Sequence, residues 1–585
     1  MELQMNDLNN NILSHLSLLM MISLLAACSS DNGSNNYQGT PPSNQTPQLS
    51  PAVGAKIKKQ CQQLSSFQYA NTTITSTTAE AAGALTVADK PIRAHCVVTG
   101  YMFPRISPVD QQEYRIGFEM RLPLDWNGRF LFQANGGFGG ELISAQGYVG
   151  SGGPLTNALY EGFAVISSDM GHTLEQINTF GLDPQARLDY GYDSMIKLTP
   201  MAKQLIRFSY DKLPDRSYAG GASRGGNLAL NAATRLPTEY DGIYANAPSF
   251  EPPLSAIAQL YDFKELRKVA TEIDETITAF TDAERKVVAD AVLNKCDKLD
   301  GIVDGMVQNV DQCQSEFNIQ RDVPVCPGKR DGSCLSAEQI QVIAAVFDTP
   351  VNSRGEKFSV SEPYDPGIVG RKWANLKLTP LSGLERGAGV LGTVFETPPT
   401  LLGRERPAEF VLNYNFDTDL IKLYTANDIY TQSSTAFMGP PDPLNVTPLT
   451  SRGGKIMVIH GVADGSTSEK ESQNWYDQLL KRYSATIQNS VRFFRVPGMN
   501  HVSQGVATDQ FDGLTALVRW VEYGEKPDRI IATARGPGNP SGDINPEIPS
   551  NWAPNRTRPL CPYPLVARYS GQGDSEKAES FNCAR

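Results

Sequence analysis

Three residue types at three separated positions could together break an ester or amide bond. Gly221-Ala222-Ser223-Arg224-Gly225 is a G-x-S-x-G sequence, a spacing that lets a serine hydroxyl stand clear of a tight strand-to-helix turn. Serine is a weak nucleophile on its own. It needs an imidazole to take its proton and an acid to orient that imidazole. With five histidines in 585 residues, the search for the base is short. His15 lies in the apolar leader, His95 adjoins Cys96, and His172 precedes the serine. His460 ends a strand-like run, and His501 follows Val496-Pro497-Gly498-Met499-Asn500 after another. Asp464 lies in the loop that His460 opens, between the serine and His501.

The order serine, acid, histidine is that of α/β-hydrolase chains, so Ser223, Asp464 and His501 are the expected triad. The elements around them agree. Strands are expected at 114–122, 129–133, 163–168, 216–219, through 243–244, and at 455–460 and 491–496, with helices at 194–210, 227–236 and 511–523. Such alternation implies a mostly parallel sheet with crossover helices. An oxyanion hole needs the N–H after the nucleophile, that of Arg224, and a second from a loop after an early strand. Asn135-Gly136-Gly137-Phe138-Gly139-Gly140 follows such a strand; the competing reading is a plain glycine turn.

The pattern lapses between about 250 and 450, where Pro, Gly and four cysteines gather. The simplest organisation is an α/β core, 52–250 and 450–585, interrupted by an inserted lid, 251–449. Ahead of it, Leu16–Ala27 is too short for a bilayer core of ~30 Å and suits a signal peptide, 1–27. Leu25-Ala26-Ala27-Cys28 resembles a lipobox, which would lipidate Cys28, although 1–27 carries no Lys or Arg. The polar, Pro-rich stretch from there to Pro51 reads as a flexible tether. Export, to the outer membrane as a lipoprotein or to the extracellular medium, makes the remaining cysteines disulfide candidates. Among many connectivities, nearest-neighbour pairing joins Cys61–Cys96, Cys296–Cys313, Cys326–Cys334 and Cys561–Cys583. Clustered CxxC spacing for zinc is absent. A net charge of −11 argues against nucleic-acid partners, which need clustered Lys and Arg. A monomer acting on a small molecule is expected.

Several stretches are together specific: Trp126-Asn127-Gly128-Arg129-Phe130, Phe180-Gly181-Leu182-Asp183-Pro184-Gln185-Ala186-Arg187-Leu188-Asp189, Pro497-Gly498-Met499-Asn500-His501 and Thr557-Arg558-Pro559-Leu560-Cys561-Pro562-Tyr563-Pro564. In these the chain resembles the tannase/feruloyl esterase family from about Cys61 to Cys583. The resemblance implies a secreted serine carboxylesterase for esters of aromatic acids, whether terephthalate, feruloyl or galloyl, without an organic cofactor. It carries the triad onto Ser223, Asp464 and His501, and the oxyanion donors onto Gly137 and Arg224. A peptidase on the same fold and an inactive lipid-anchored binding protein are the alternatives.

The chain also departs from the family. A cysteine usually precedes the nucleophile and another follows the catalytic histidine, bridged to each other; here those positions are Ala222 and Val502. Arg224 replaces an acidic or neutral residue, so its charge either favours an anionic substrate or faces solvent. The lid arginine that terephthalate-monoester hydrolases use falls on Ser382, with Arg386 nearby, while the matching aromatic Phe395 is kept. Phe395, Arg386 and His460 are the expected substrate contacts. Finally, Cys296–Met306 places three carboxylates between glycine turns, which suits either a solvated acidic turn or Ca²⁺. The resemblance implies a structural Ca²⁺ held by the Asp297, Asp300 and Asp304 side chains and the Ile302 and Met306 carbonyls.

Overall fold

The computed structural model describes residues 46–272, 275–379, 384–402 and 407–585, without the side chains of 384–386. The expected signal peptide, Cys28 and most of the tether lie outside these residues. The last tether residues are fastened to the core: Gln48 Nε2 donates to Val521 O at 2.7 Å, and Arg216 Nε to Ser50 O at 2.8 Å.

Uninterrupted apolar runs mark strands that are covered on both faces, and the chain builds one nine-stranded sheet around them. Its strands are β1 Thr72–Glu80, β2 His95–Ile106, β3 Glu113–Pro123, β4 Arg129–Ala134, β5 Ala164–Ser168, β6 Arg216–Ala222, β7 Gly242–Asn246, β8 Lys455–Gly461 and β9 Val491–Val496. In space they run β9-β8-β7-β6-β4-β5-β3-β2-β1. Neighbours from β9 to β5 are parallel. The pairings β5–β3, β3–β2 and β2–β1 are antiparallel. The parallel half is as the sequence implies. β1 and β2 were not anticipated, because the Thr-rich β1 lacks an apolar alternation and β2 is interrupted by Gly100 and Pro104.

Side chains alternate across the sheet. Ile456 and Val458 of β8 join a core with Phe130 and Phe132, while Met457 and Ile459 face a second core with Leu131 and Tyr218. Helices α2 Ser194–Tyr210 and α3 Arg224–Arg235, with α1 Pro184–Leu188 nearby, serve the first core. The helix Gly513–Tyr523 seals the second with Leu514, Leu517 and Trp520.

Between β7 and β8 the regular elements are helices, among them α4 Pro252–Leu266, α5 Asp282–Cys296, α6 Ala337–Phe347 and α7 Arg371–Lys377. They have their own core, in which Val288, Val292, Ile343, Phe347 and Trp373 meet Ala463 from the loop after β8. Two disulfides, Cys296–Cys313 and Cys326–Cys334, lie in this insertion. Cys61–Cys96 and Cys561–Cys583 complete the nearest-neighbour set.

The register decides where function can sit. Gly221 of β6 pairs with Ala134, Ala222 with Asn246, Asn246 with Ile459, and Gly461 with Val496. The carboxyl ends of β4, β6, β7, β8 and β9 therefore share one edge, where ligands bind in open α/β sheets.

Candidate active site

Ser223 follows β6 directly and precedes α3, with φ +58° and ψ −123°. A non-glycine residue tolerates this region only at a cost, which clusters at functional turns. The Ser223 N–H donates to Asn246 O at 2.9 Å, which pins the turn to β7. The flanking glycines are explained by close approach: a Cβ on Gly221 or on Gly225 would collide with the Ala134 carbonyl oxygen of β4. Arg224 opens α3, so its N–H has no acceptor within the helix.

The loops after β8 and β9 bring Asp464 and His501 together. His501 Nδ1 lies 2.7 Å from Asp464 Oδ2. Because a carboxylate only accepts, Nδ1 carries the proton, and Nε2 of the neutral ring is left with a lone pair. Asp464 Oδ1 accepts from the Ser466 and Thr467 N–H groups at 2.8 and 3.0 Å. Burial works to raise the Asp464 pKa, but the neighbouring His501 and His460 outweigh it and hold the carboxyl well below its usual range. Asn500, fully buried beside His501, donates to Gly367 O and Ala463 O at 3.0 and 3.2 Å. It thereby ties the His501 loop both to the insertion and to the Asp464 loop.

His460 is not a substrate contact. It has no exposure, sits behind Asp464, and does not line the cavity described below. Its Nε2 faces two acceptors, Thr467 O at 3.1 Å and Asp464 Oδ2 at 3.3 Å, and so carries a proton; Nδ1 is 2.8 Å from Ser472 Oγ.

The glycine loop after β4 lies against the serine. Gly137 has φ +67°, and a Cβ there would meet open space, whereas one on Gly136 would lie 3.2 Å from Ala222 O. Glycine at 137 thus satisfies a left-handed backbone and keeps the space before it clear. His172 supports the loop from below. Its Nε2 donates to Phe138 O at 2.9 Å, its ring stacks on Phe180 at 3.7 Å, and burial pushes its pKa down to about 4.

A cavity of about 920 Å³ opens at this edge, lined by Ser223, His501, Gly137, Arg224 and, from the insertion, Phe395 and Lys372. Phe395 is held by a residue from the core. Arg187, on α1, is 1% exposed. Its Nε donates to Gly181 O at 2.7 Å, Nη1 to Thr397 Oγ1 at 3.0 Å, and Nη2 to Glu396 O at 2.8 Å and to Thr393 O. The side chain of Arg386 lies outside the described residues. Arg224 does not face solvent: it is 6% exposed, and Nη2 donates to Tyr190 O and Gly191 O. Those carbonyls belong to the helical turn Asp189–Asp193 between α1 and α2, and the buried Nε is left without a partner.

The acidic loop lies apart from the cavity. Asp297 accepts from the Asp304 and Gly305 N–H groups, Asp300 from those of Ile302 and Gln308, and Asp304 pairs with Arg558. Burial, then the charges of Asp304 and Asp297, push the Asp300 pKa up to about 7, and burial also raises that of Asp297. Buried hard oxygens that repel one another within a single loop have the donor chemistry a Ca²⁺ would satisfy. Among the described residues, the tighter group Cys326, Asp331 and Cys334 is no metal centre, since its cysteines are disulfide-bonded.

A sharp serine turn, a histidine–carboxylate pair and a glycine loop at the carboxyl edge of this sheet define an α/β-hydrolase. The profile of the family described as "Tannase and feruloyl esterase" matches residues 96–584. The chain belongs to that family and is a carboxylic ester hydrolase. It is 34% identical to the mono(2-hydroxyethyl) terephthalate hydrolase of Piscinibacter sakaiensis, over 84% of this chain and 85% of the relative. Its fold resembles that of feruloyl esterase B from Aspergillus oryzae, with TM-score 0.67 and 21% identity, covering 90% of this chain and 99% of that one. It also resembles the tannin acyl hydrolase of Aspergillus niger, with TM-score 0.60 and 19% identity over 89% and 93% of the two chains.

Proposed function

We propose that this chain is an exported serine carboxylesterase that releases aromatic carboxylic acids from their esters. Ser223 Oγ attacks the ester carbonyl carbon while His501 Nε2 takes its proton. Asp464 holds the imidazole in the required tautomer and stabilises the imidazolium. The Gly137 and Arg224 N–H groups receive the oxyanion. The alcohol leaves with the proton from His501, and water, activated by the same ring, hydrolyses the acyl-enzyme to release the acid and restore Ser223. The insertion, 251–449, is the lid over core halves 52–250 and 450–585. Phe395 lies against the aromatic acyl group, and Arg386, in the helix Leu384–Val390, is the family-derived candidate for a substrate carboxylate.

The observation that carries this reading is the 2.7 Å His501–Asp464 bond on the wall of the cavity that Ser223 also lines. The four disulfides support export to an oxidising compartment. Anchoring through Cys28 belongs to the same reading. Among the described residues, no helix is long and apolar enough to cross a membrane. Ca²⁺ at Asp297, Asp300, Asp304, Ile302 and Met306 would brace the insertion and take no part in the chemistry.

The test is acid release from mono(2-hydroxyethyl) terephthalate, methyl ferulate and methyl gallate, followed by chromatography beside Ser223→Ala. Turnover of at least one ester, with kcat lowered by on the order of 10⁶ in the variant, is the expected result. Equal release by variant and wild type would overturn the assignment of the nucleophile.

A further inference from the structure

The cavity is electrostatically one-sided. Of the charged side chains that line it among the described residues, Asp89 is exposed, while Arg224 and Lys372 are cations. Arg224 is buried, with Nη1 and Nη2 donating to Asn227 Oδ1, Tyr190 O and Gly191 O and only Nε without a partner. Lys372 is different. It projects from α7 of the insertion, and its one hydrogen bond among the described residues runs from Nζ to Ser503 Oγ at 3.2 Å. Ser503 is itself tied to the base's loop, its N–H donating to His501 O at 2.8 Å.

The acids whose fields reach Lys372 are engaged elsewhere. Asp464 binds His501, Asp509 pairs with Arg535, and Glu547 accepts from the Arg371 and Gly505 N–H groups. Burial lowers the Lys372 pKa, with those acids only partly opposing it. An ammonium has three donors, so among the described residues two N–H groups of this half-buried cation remain without an acidic partner on the wall of the cavity that Ser223 and His501 also line. Keeping a cation partly desolvated and unpaired is unfavourable. A bound anion would reverse that.

We propose that Lys372 is the anion-reading residue of this cavity and binds a carboxylate carried by the ester substrate. The inference rests on the ester-hydrolase reading and names the substrate class within it: esters that are monoanions or more. Its place beside the base, which returns the proton to the departing alcohol, points to a carboxylate on the alcohol. A carboxylate on the acyl ring is the other source of the same chemistry.

Three esters separate these cases: methyl benzoate (neutral), monomethyl terephthalate (carboxylate on the acyl part) and benzoyloxyacetate (carboxylate on the alcohol part). Lys372→Met should lower kcat/KM for one or both anionic esters by about tenfold or more relative to methyl benzoate. The loss should appear chiefly in KM, Lys372→Arg should restore much of it, and the arm affected identifies the carboxylate's position. An unchanged anionic-to-neutral ratio in Lys372→Met would overturn the proposal. So would an equal fall for methyl benzoate, or a ratio that collapses only in Arg386→Met. Calorimetric binding of the two anionic esters to Ser223→Ala, with and without Lys372→Met, reads the subsite without turnover. If wild type hydrolysed none of the three while this binding still required Lys372, the esterase reading would fall and the anion subsite would stand.

Discussion

Arg187 offers a direct test of how the insertion is held over the cavity. Its guanidinium is buried and has no carboxylate partner among the described residues. It is satisfied by the carbonyls of Gly181, Thr393 and Glu396, by Thr397 Oγ1, and by the Tyr430 ring, 4.2 Å from Cζ. Burial lowers its pKa to about 10. Hydrogen bonds from a charged donor contribute roughly 1.5–3 kcal/mol each. Holding the charge in a buried place costs a few kcal/mol at about 1.4 kcal/mol per pKa unit. Arg187→Met abolishes both sides of this balance and strands buried carbonyls, so a net loss of about 3–5 kcal/mol is expected, the lost charged hydrogen bonds outweighing the relieved burial of the cation. Because Thr393 and Glu396 flank Phe395, KM for methyl ferulate should rise as well. Arg187→Lys should recover less than half of either effect, since an ammonium cannot reproduce the planar fork. Urea unfolding and steady-state kinetics check both. A loss under about 1 kcal/mol with unchanged KM would refute the latch.

Three further expectations concern pH, covalent geometry and metal. Burial pushes the Asp169 pKa up to about 7 from 3.8, against N–H bonds from Gly171 and Gly117. The folded chain therefore binds a proton that the unfolded chain releases near pH 4, and this group's contribution to stability falls as pH rises from about 4 to 7. Asp169→Asn should flatten the Tm–pH profile over that window; an unaltered slope would refute the reasoning. Ala222→Cys with Val502→Cys should form a bridge under oxidising conditions, restoring the family's link between nucleophile and histidine loops. Two persistently free thiols in a folded, active variant, counted by mass spectrometry, would be the contrary result. Chelation should lower stability, read as Tm, and Ca²⁺ at a hundredfold excess over Kd should restore about 2.7 kcal/mol of it. Asp300→Asn should abolish this response, and a response that survives would place the metal elsewhere.

What was legible in the sequence, and what was not, divides along a physical line. The serine turn could be read because its contacts restrict residue type: Gly221 and Gly225 must be glycine where β4 passes so close. The contact between Asp464 and His501 could be anticipated because few residue types can make it. The helices of the insertion could not: α7 is too short to display a 3.6-residue period, and the longer α4 and α5 carry little apolar asymmetry around the helix. The supporting polar residues were hidden for another reason. His172 binds the carbonyl of Phe138, Arg187 those of residues more than 200 positions away, and Arg224 those of Tyr190 and Gly191. A backbone carbonyl is offered by every residue type, so such a bond leaves no second residue whose identity could betray it. The same argument turns the unpaired cation into a signal. Arg224, which the sequence marks as unusual, is buried and donates through both Nη groups to partners within the protein, with Nε alone unmet, whereas Lys372, unremarkable in sequence, lines the cavity with one hydrogen bond among the described residues. A charge that the fold does not satisfy, placed beside the reacting groups, is where a substrate's own chemistry has to be sought.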